Sequence, residues 1–353
     1  MVQITDKPQG GGGIRRAVEL QAASLTACGW RVKTCHVPFP LRSASQIAAL
    51  QDAISQADLV HLHLGFTGLS VGDVERIARH PFVVFLHDIS PFEHDPNLGR
   101  DFDLPRGSIA IELRRALQRG KRQAVWDALV SMAAAFCVPS GFIGDLARAG
   151  GATEVRLLPH PVATPDRVVP LPAAQRLLFV GRLSAEKGAE EAVRAVATLP
   201  KAHLTVLGDG PLMSELRAVA SRLRVTDRVT FVGSVSSDHV RAAIREADVL
   251  LHPSRVPEGL GLAGVEALAE GRAVVGTGLG GAADWLKDGE TGWVCAPDPK
   301  VLAQTLTEAL SDPEELARRG MNGARLVAQH YAPKVVADHL DALCHAALAE
   351  GPA

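Results

Sequence analysis

Short β-branched or apolar runs alternate with longer amphipathic stretches along the whole chain, and that alternation restricts the fold more than any other feature. In the first half the runs are Val2–Thr5, Arg31–Val37, Leu59–Leu64, Phe82–His87 and Ala135–Val138. In the second half they are Arg176–Val180, His203–Leu207, Val229–Val232, Val249–His252 and Ala273–Gly276. Several are apolar at successive positions, which suits strands buried on both faces. Stretches such as Ala17–Cys28, Gly188–Leu199 and Leu212–Leu223 lie between them and carry the helical period. Strands alternating with helices predict α/β architecture with parallel sheets.

The two sets of strands meet at "LPHPVATPDRVVPLPAAQ", Leu158–Gln175, which holds five prolines, shows little periodicity and reads as a linker. A chain of 353 residues is long enough for two cores, so two similar-sized units are expected. Each should bind ligands at the carboxyl ends of its strands, which makes a cleft between the units the expected active site. "YAPKVVADHLDALCHAAL" closes the chain as one more helix.

Apolar residues make up 47% of the chain, ample for buried sheets. A net charge of −2 and a pI near 6.7 exclude a global pull toward nucleic acid or an anionic membrane. The basic run "RRALQRGKR", Arg114–Arg122, reads as a solvated helix face, with an anionic acceptor or a membrane surface as the other reading. Only eight of the 37 basic residues are lysine, and alanine is abundant, a pattern of GC-rich bacterial coding. The five cysteines, Cys28, Cys35, Cys137, Cys295 and Cys344, form no C-x-x-C pair and read as reduced thiols of a cytoplasmic protein. No signal-peptide pattern is visible, and no apolar run approaches the roughly 20 residues that span a bilayer.

The stretch "PSRVPEGLGLAGVEALAEGRAVVGTGLGG", Pro253–Gly281, is small and apolar apart from a few charges, among them Glu258 and Glu266. Gly259 to Leu262 are expected to open a helix, with Glu266 roughly two turns in and on the face of Gly259. A helix start attracts anions, and carboxylates there would repel one unless they grip its hydroxyl groups. A ligand with both phosphates and hydroxyls, such as a nucleotide sugar, fits.

Other motifs surround this one. In "FVGRLSAEKG", Phe179–Gly188, Arg182 and Lys187 leave the end of a strand and can hold a diphosphate and stabilise it as a leaving group. Two solvated surface cations are the plain alternative. "VLGDGPL", Val206–Leu212, is a tight turn in which Gly208 allows close backbone approach and Pro211 suits the first helical position. "RVTFVGSV", Arg228–Val235, ends another strand at Gly233. "PQGGGGIRRA", Pro8–Ala17, offers backbone amides to a phosphate or sugar oxygen, or is simply a flexible loop; it is not a dinucleotide fingerprint. "VVFLHDIS" ends a strand with His87, placed to bond a sugar hydroxyl or to stabilise positive charge at a reacting carbon, unless it is only the polar end of the strand. His61 and His63 share a strand face, and with His87 they suggest zinc; against it, no carboxylate or cysteine lies at ligand spacing nearby.

In order, the glycine-rich first loop, "HD", "GRLSAEKG", "GDGP", "VTFVG", "ADVLLHPSRVPEGLGLAGVEALAEGRAVVGT" and "GLGGAADWLKDGETGWV" resemble family 4 of the retaining glycosyltransferases, the group 1 glycosyltransferases. The resemblance is weak before residue 140 and strong from 176 to 294. It implies the GT-B fold, two Rossmann-like domains whose parallel sheets face a central cleft. Residues 1–165 would bind the acceptor, residues 166–328 the nucleotide sugar, and residues 329–353 would form a helix crossing back to the first domain. It implies transfer of a hexosyl-type sugar from a nucleotide-diphosphate donor to an acceptor hydroxyl, with retention and without a metal or other cofactor. The acceptor would be a small molecule or a glycan; peripheral membrane contact is compatible, and nucleic acid is not a partner. A pseudo-glycosyltransferase, a sugar-nucleotide epimerase and a catalytically silent nucleotide-sugar-binding protein are the alternatives on this scaffold.

Carried onto this chain, the resemblance gives Arg182 and Lys187 the donor diphosphate, Glu266 the ribose hydroxyls and Glu258 the transferred sugar. The amides of Gly259, Leu260, Gly261 and Leu262 would meet phosphate and sugar oxygens. Gly12, Gly13, Gly208 and Gly233 complete the donor set, and His87 lies near the transferred sugar. The chain departs from the family at His160-Pro161, where an asparagine-glycine pair is frequent, and at Leu260, where an aromatic is common. Phe92 to Arg122, where acceptor contacts belong, matches no family pattern.

Overall fold

The computed structural model describes residues 1–5, 13–37, 39–64, 69–87, 109–171 and 175–350; side chains are described throughout these except at 13–15, 64, 109–119 and 350. The chain divides into one unit of Met1–Pro161 with Lys334–Ala353 and a second of Val162–Pro333. The first division falls at Pro161; residues 158–162 are buried, and the Val162 N–H donates to the Tyr331 carbonyl (2.8 Å) within the second unit. The second falls at Pro333, so the last helix, Pro333–Glu350, groups almost entirely with the first unit.

The first unit holds strands β1 (Val2–Thr5), β2 (Lys33–His36), β3 (Val60–Leu64), β4 (Phe82–Leu86), β5 (Ala135–Val138) and β6 (Val155–Leu157). Helices α1 (Gly13–Ala27), α2 (Ala44–Ile54), α3 (Val71–Ile77), α4 (Ile109–Met132) and α5 (Gly141–Ala149) connect them. The second holds β7 (Arg176–Val180), β8 (His203–Leu207), β9 (Val229–Gly233), β10 (Val249–His252), β11 (Ala273–Gly276) and β12 (Gly292–Val294). Its helices are α6 (Ala189–Ala197), α7 (Met213–Arg222), α8 (Ser237–Glu246), α9 (Leu262–Ala269), α10 (Pro299–Ser311) and α11 (Pro313–His330), and α12 is the last helix. Among the described residues each unit has one six-stranded sheet, ordered β2-β1-β3-β4-β5-β6 and β12-β11-β10-β7-β8-β9. Every strand pair is parallel.

Alternating strand residues feed opposite faces of each sheet. In the second unit Leu177, Phe179, Val249 and Leu251 pack with α6, α7 and α10, whereas Leu178, Leu250 and Val274 pack with α8, α9 and α11. In the first, Val83, Phe85 and Cys137 pack against Val336, Leu340 and Cys344 of α12. The opposite face, with Val84 and Phe136, packs on Leu50, Val74 and Leu129. Strands β6 and β12 lay outside the expected set: each has three residues at a sheet edge, so neither carries a long apolar run. Pro211 also departs from expectation, standing in a turn two residues before the first helical residue of α7. No helix among the described residues is long and apolar enough to cross a membrane.

Among the described residues, four imidazoles are buried in the first unit. His63 Nδ1 lies 3.0 Å from His87 Nε2, His87 stacks on His160 with centroids 5.3 Å apart, and His61 Nε2 lies 3.4 Å from Cys344 Sγ. A cysteine therefore does approach this group, brought by α12 from the far end of the chain. Burial holds His61 at a pKa of about 3 and His160 at about 4; burial, then the neighbouring His61 and His160, hold His63 well below the usual range. The unfolded chain titrates these rings near 6.5, so it binds more protons than the folded chain below that pH. Stability should thus be fully present above pH 6.5 and fall as pH drops from there toward 4, by on the order of a few kcal/mol. Urea unfolding at pH 7.5 and 4.5 measures this. His160→Phe, which preserves a stacked ring, should shrink the difference between the two pH values; an undiminished difference would place the acid sensitivity elsewhere.

Candidate functional site

The sheet order of the second unit reverses between β7 and β10, and such a switch point is where open α/β sheets form a crevice at the carboxyl ends of their strands. The turn after β7 is stitched to the turn after β8: the Leu183 N–H donates to the Asp209 carbonyl and the Leu212 N–H to the Leu183 carbonyl, both at 3.0 Å. A single 3-10 turn, Ala185–Lys187, follows, and Gly188 in the left-handed conformation (φ 72°) redirects the chain into α6. Only glycine fits there, since a Cβ would be driven into the Pro253 carbonyl of the turn after β10. That second turn is fastened to the first by the Arg255 N–H on the Glu186 carbonyl (2.8 Å) and by Ser254 Oγ, 3.2 Å from the same oxygen. Glu258 is clamped through its backbone: its N–H donates to Leu279 (3.2 Å) and its carbonyl accepts from Gly281 (2.8 Å).

This backbone brings together side chains that are 71 residues apart. Lys187 Nζ donates to Glu258 Oε1 at 2.7 Å and to Oε2 at 2.6 Å, with the glutamate side chain 11% exposed. His252, at the end of β10, sets Nε2 at 4.0 Å from Oε1. Burial pushes the Glu258 carboxyl up, but the charge of Lys187, the neighbouring His252 and the hydrogen bonds from Lys187 outweigh it and hold the carboxyl below its ordinary value. Burial lowers the His252 ring; Glu258 opposes that shift and Lys187 reinforces it.

Helix α9 begins at Leu262, with Gly261 (φ 81°) as its N-cap and no side-chain cap bond. Its first N–H groups are therefore left without a capping side chain. The buried Trp285 sets this helix start: its Nε1 donates to the Leu260 carbonyl (2.6 Å), and its ring covers Gly264 so closely that no Cβ fits. His252 meets the ring edge-on at 5.3 Å. At the other end of α9, the buried Glu270 is held by Arg245 at 2.9 Å and also by Arg241, which accounts for a charge in this apolar run that has no part in the site.

Several expectations change here. Gly259 and Leu260 precede the helix, so Glu266 is the fifth helical residue, just over one turn in and not two, because the left-handed Gly261 delays the start. Leu260 buries its side chain in the core, so any ligand contact there falls to its backbone. Arg182 and Lys187 are not an equivalent pair: Arg182 is exposed beyond β7, whereas Lys187 is bound to Glu258. Gly208 has a packing reason to be glycine, as a Cβ would strike the Gly181 carbonyl; at Gly233 (φ 89°) the conformation alone favours it. Glu266 is half-buried on α9. His87 is buried beyond β4 with its Nε2 against His63. Gly13 is the first residue of α1, while Gly12 and Asp88 lie outside the described residues. His252 was not anticipated; the signal was present in "LLHPS", a histidine ending a buried strand just as His87 does.

Residues 171–326, nearly all of the second unit, match the family described as glycosyl transferases group 1. Over 181 residues, half of this chain, it is 36% identical to 2-deoxystreptamine glucosyltransferase of Streptomyces kanamyceticus and spans 45% of that relative's length. Among solved structures, Anabaena Alr3699/HepE in complex with UDP and glucose aligns over 98% of this chain and 99% of its own, with a TM-score of 0.74 at 18% identity. Sucrose-phosphate synthase from Thermosynechococcus elongatus aligns over 99% of both chains, with a TM-score of 0.77 at 19% identity. The two α/β units, each with a parallel six-stranded sheet, are those of the GT-B glycosyltransferase structures.

Proposed function

We propose that this chain transfers a hexosyl-type sugar from a nucleotide-diphosphate donor to an acceptor hydroxyl, with retention of anomeric configuration and without a metal ion. The observation that carries this reading is the convergence, at one sheet switch point, of the Lys187 ammonium, the Glu258 carboxylate and the uncapped start of α9. Backbone N–H groups and cations suit a diphosphate, and a carboxylate suits sugar hydroxyls. Lys187, the start of α9 and Arg182 take the diphosphate. Glu258 takes the transferred sugar, Glu266 the ribose, and the first unit the acceptor. The group 1 match and the names of the relatives, a glucosyltransferase and a structure holding UDP and glucose, support the same reading.

Retention follows if the departing phosphate oxygen takes the acceptor's proton on the face the leaving group vacates, while Lys187, Arg182 and the helix N–H groups stabilise the charge that develops. The protein supplies those positive groups itself, so activity should be unchanged in EDTA; loss in EDTA with recovery on adding Mn²⁺ or Zn²⁺ would contradict the metal-free reading. Thermal-shift titration with UDP, GDP and ADP tests the donor class. At least one should raise the melting temperature by a few degrees at saturating concentration. No shift from any of the three would sink the reading.

A further inference from the structure

We propose that Glu258 is a latch on Lys187, one that weakens the hold on a bare nucleoside diphosphate and that the hydroxyls of an intact donor open. The inference rests on the donor reading above. An ammonium has three N–H donors, and here two of them point at the two oxygens of one carboxylate, at 2.7 and 2.6 Å. Glu258 cannot follow the lysine: its backbone is held by Leu279 and Gly281, and Gly280 packs so tightly that a Cβ would lie 2.6 Å from the Glu258 carbonyl oxygen. Lys187 has a flexible stem and a side chain 32% exposed, so it is the partner free to swing.

A diphosphate that recruits Lys187 must break both charge-assisted bonds and leave a mostly buried carboxylate facing an anion. His252, 4.0 Å away, compensates only in part. With an intact donor, sugar hydroxyls donate to Glu258 and replace what Lys187 withdrew. Once the sugar has left on the acceptor, nothing replaces it; Glu258 recaptures Lys187 and the nucleoside diphosphate is released. The pair therefore couples occupancy of the sugar position to the grip on the diphosphate.

Titration calorimetry of the full chain with UDP, GDP and ADP tests this in wild type, Glu258→Gln and Glu258→Asp. Glu258→Gln should bind whichever nucleoside diphosphate the wild type binds about two- to fivefold more tightly, the worth of an ion pair whose lysine is partly exposed. Glu258→Asp keeps the charge but is a methylene short of the bidentate grip, so it too should tighten, by about twofold or more. Mere charge repulsion would leave the aspartate variant at wild-type affinity, so that result overturns the latch, as does unchanged or weaker binding by the glutamine variant. Both outcomes leave the donor reading standing. No binding of any nucleotide to any of the three proteins removes the donor reading, and the latch with it.

Discussion

Replacing Glu258 by Gln should lower kcat about 100-fold, roughly 2.7 kcal/mol of barrier, while Glu266→Gln changes kcat less than about threefold and raises the donor KM. The two carboxylates lie on one segment but differ in what surrounds them. Glu258 stands beside Lys187 and His252 at the switch point, and in our reading it faces the sugar ring that becomes positive during transfer. Its loss is felt most in the transition state, and a tighter hold on the product acts on kcat in the same direction. Glu266 is over one turn into α9, and the ribose contact assigned to it is the same in ground and transition states. Steady-state kinetics of both variants with one donor measure the split. Identical patterns, or an intact kcat in Glu258→Gln, would show that the roles are wrongly divided.

Gly188→Ala should cost about 3 kcal/mol or more of stability. The left-handed conformation alone costs alanine about 1–2 kcal/mol. The new Cβ also meets the Pro253 carbonyl, a backbone atom of the neighbouring turn that cannot step aside as a flexible side chain could, which adds about 1–3 kcal/mol of overpacking. Gly29 is the control: its φ is +94°, but nothing lies within 4 Å of a Cβ, so Gly29→Ala should show the conformational cost alone. Urea unfolding of the two variants should separate them by at least 1 kcal/mol; equal losses would mean that the two turns are not locked together as described. Because the same turns carry Lys187 and Ser254, the Gly188 variant should also lose donor binding.

Much of the fold was legible because parallel strands buried on both faces advertise themselves. Strands β1, β5, β7, β8, β10 and β11 begin and end with their apolar runs. Strands β6 and β12 escaped because an edge strand needs little apolar sequence. The start of α9 is not legible in "GLGLAG", which offers three glycines; only the φ of Gly261 says which one turns the chain. Lys187 and Glu258 were each picked out, but not as partners: their meeting depends on β7 and β10 being neighbours across the switch point, which no local pattern encodes. The same holds for His61 and Cys344, which are 283 residues apart and joined only by the packing of α12. His252 was missed because a single histidine ending a strand gains meaning only from the carboxylate and the indole set against it.

Sugar transfer from a nucleotide donor is read out by proton NMR of the full chain incubated with UDP-, GDP- and ADP-linked hexoses, with water as the slow acceptor. At least one donor should release its nucleoside diphosphate, the first sugar anomer to appear should have the configuration of the donor, and Lys187→Ala should abolish the reaction. No release from any donor, or first appearance of the opposite anomer, would contradict the proposed transfer.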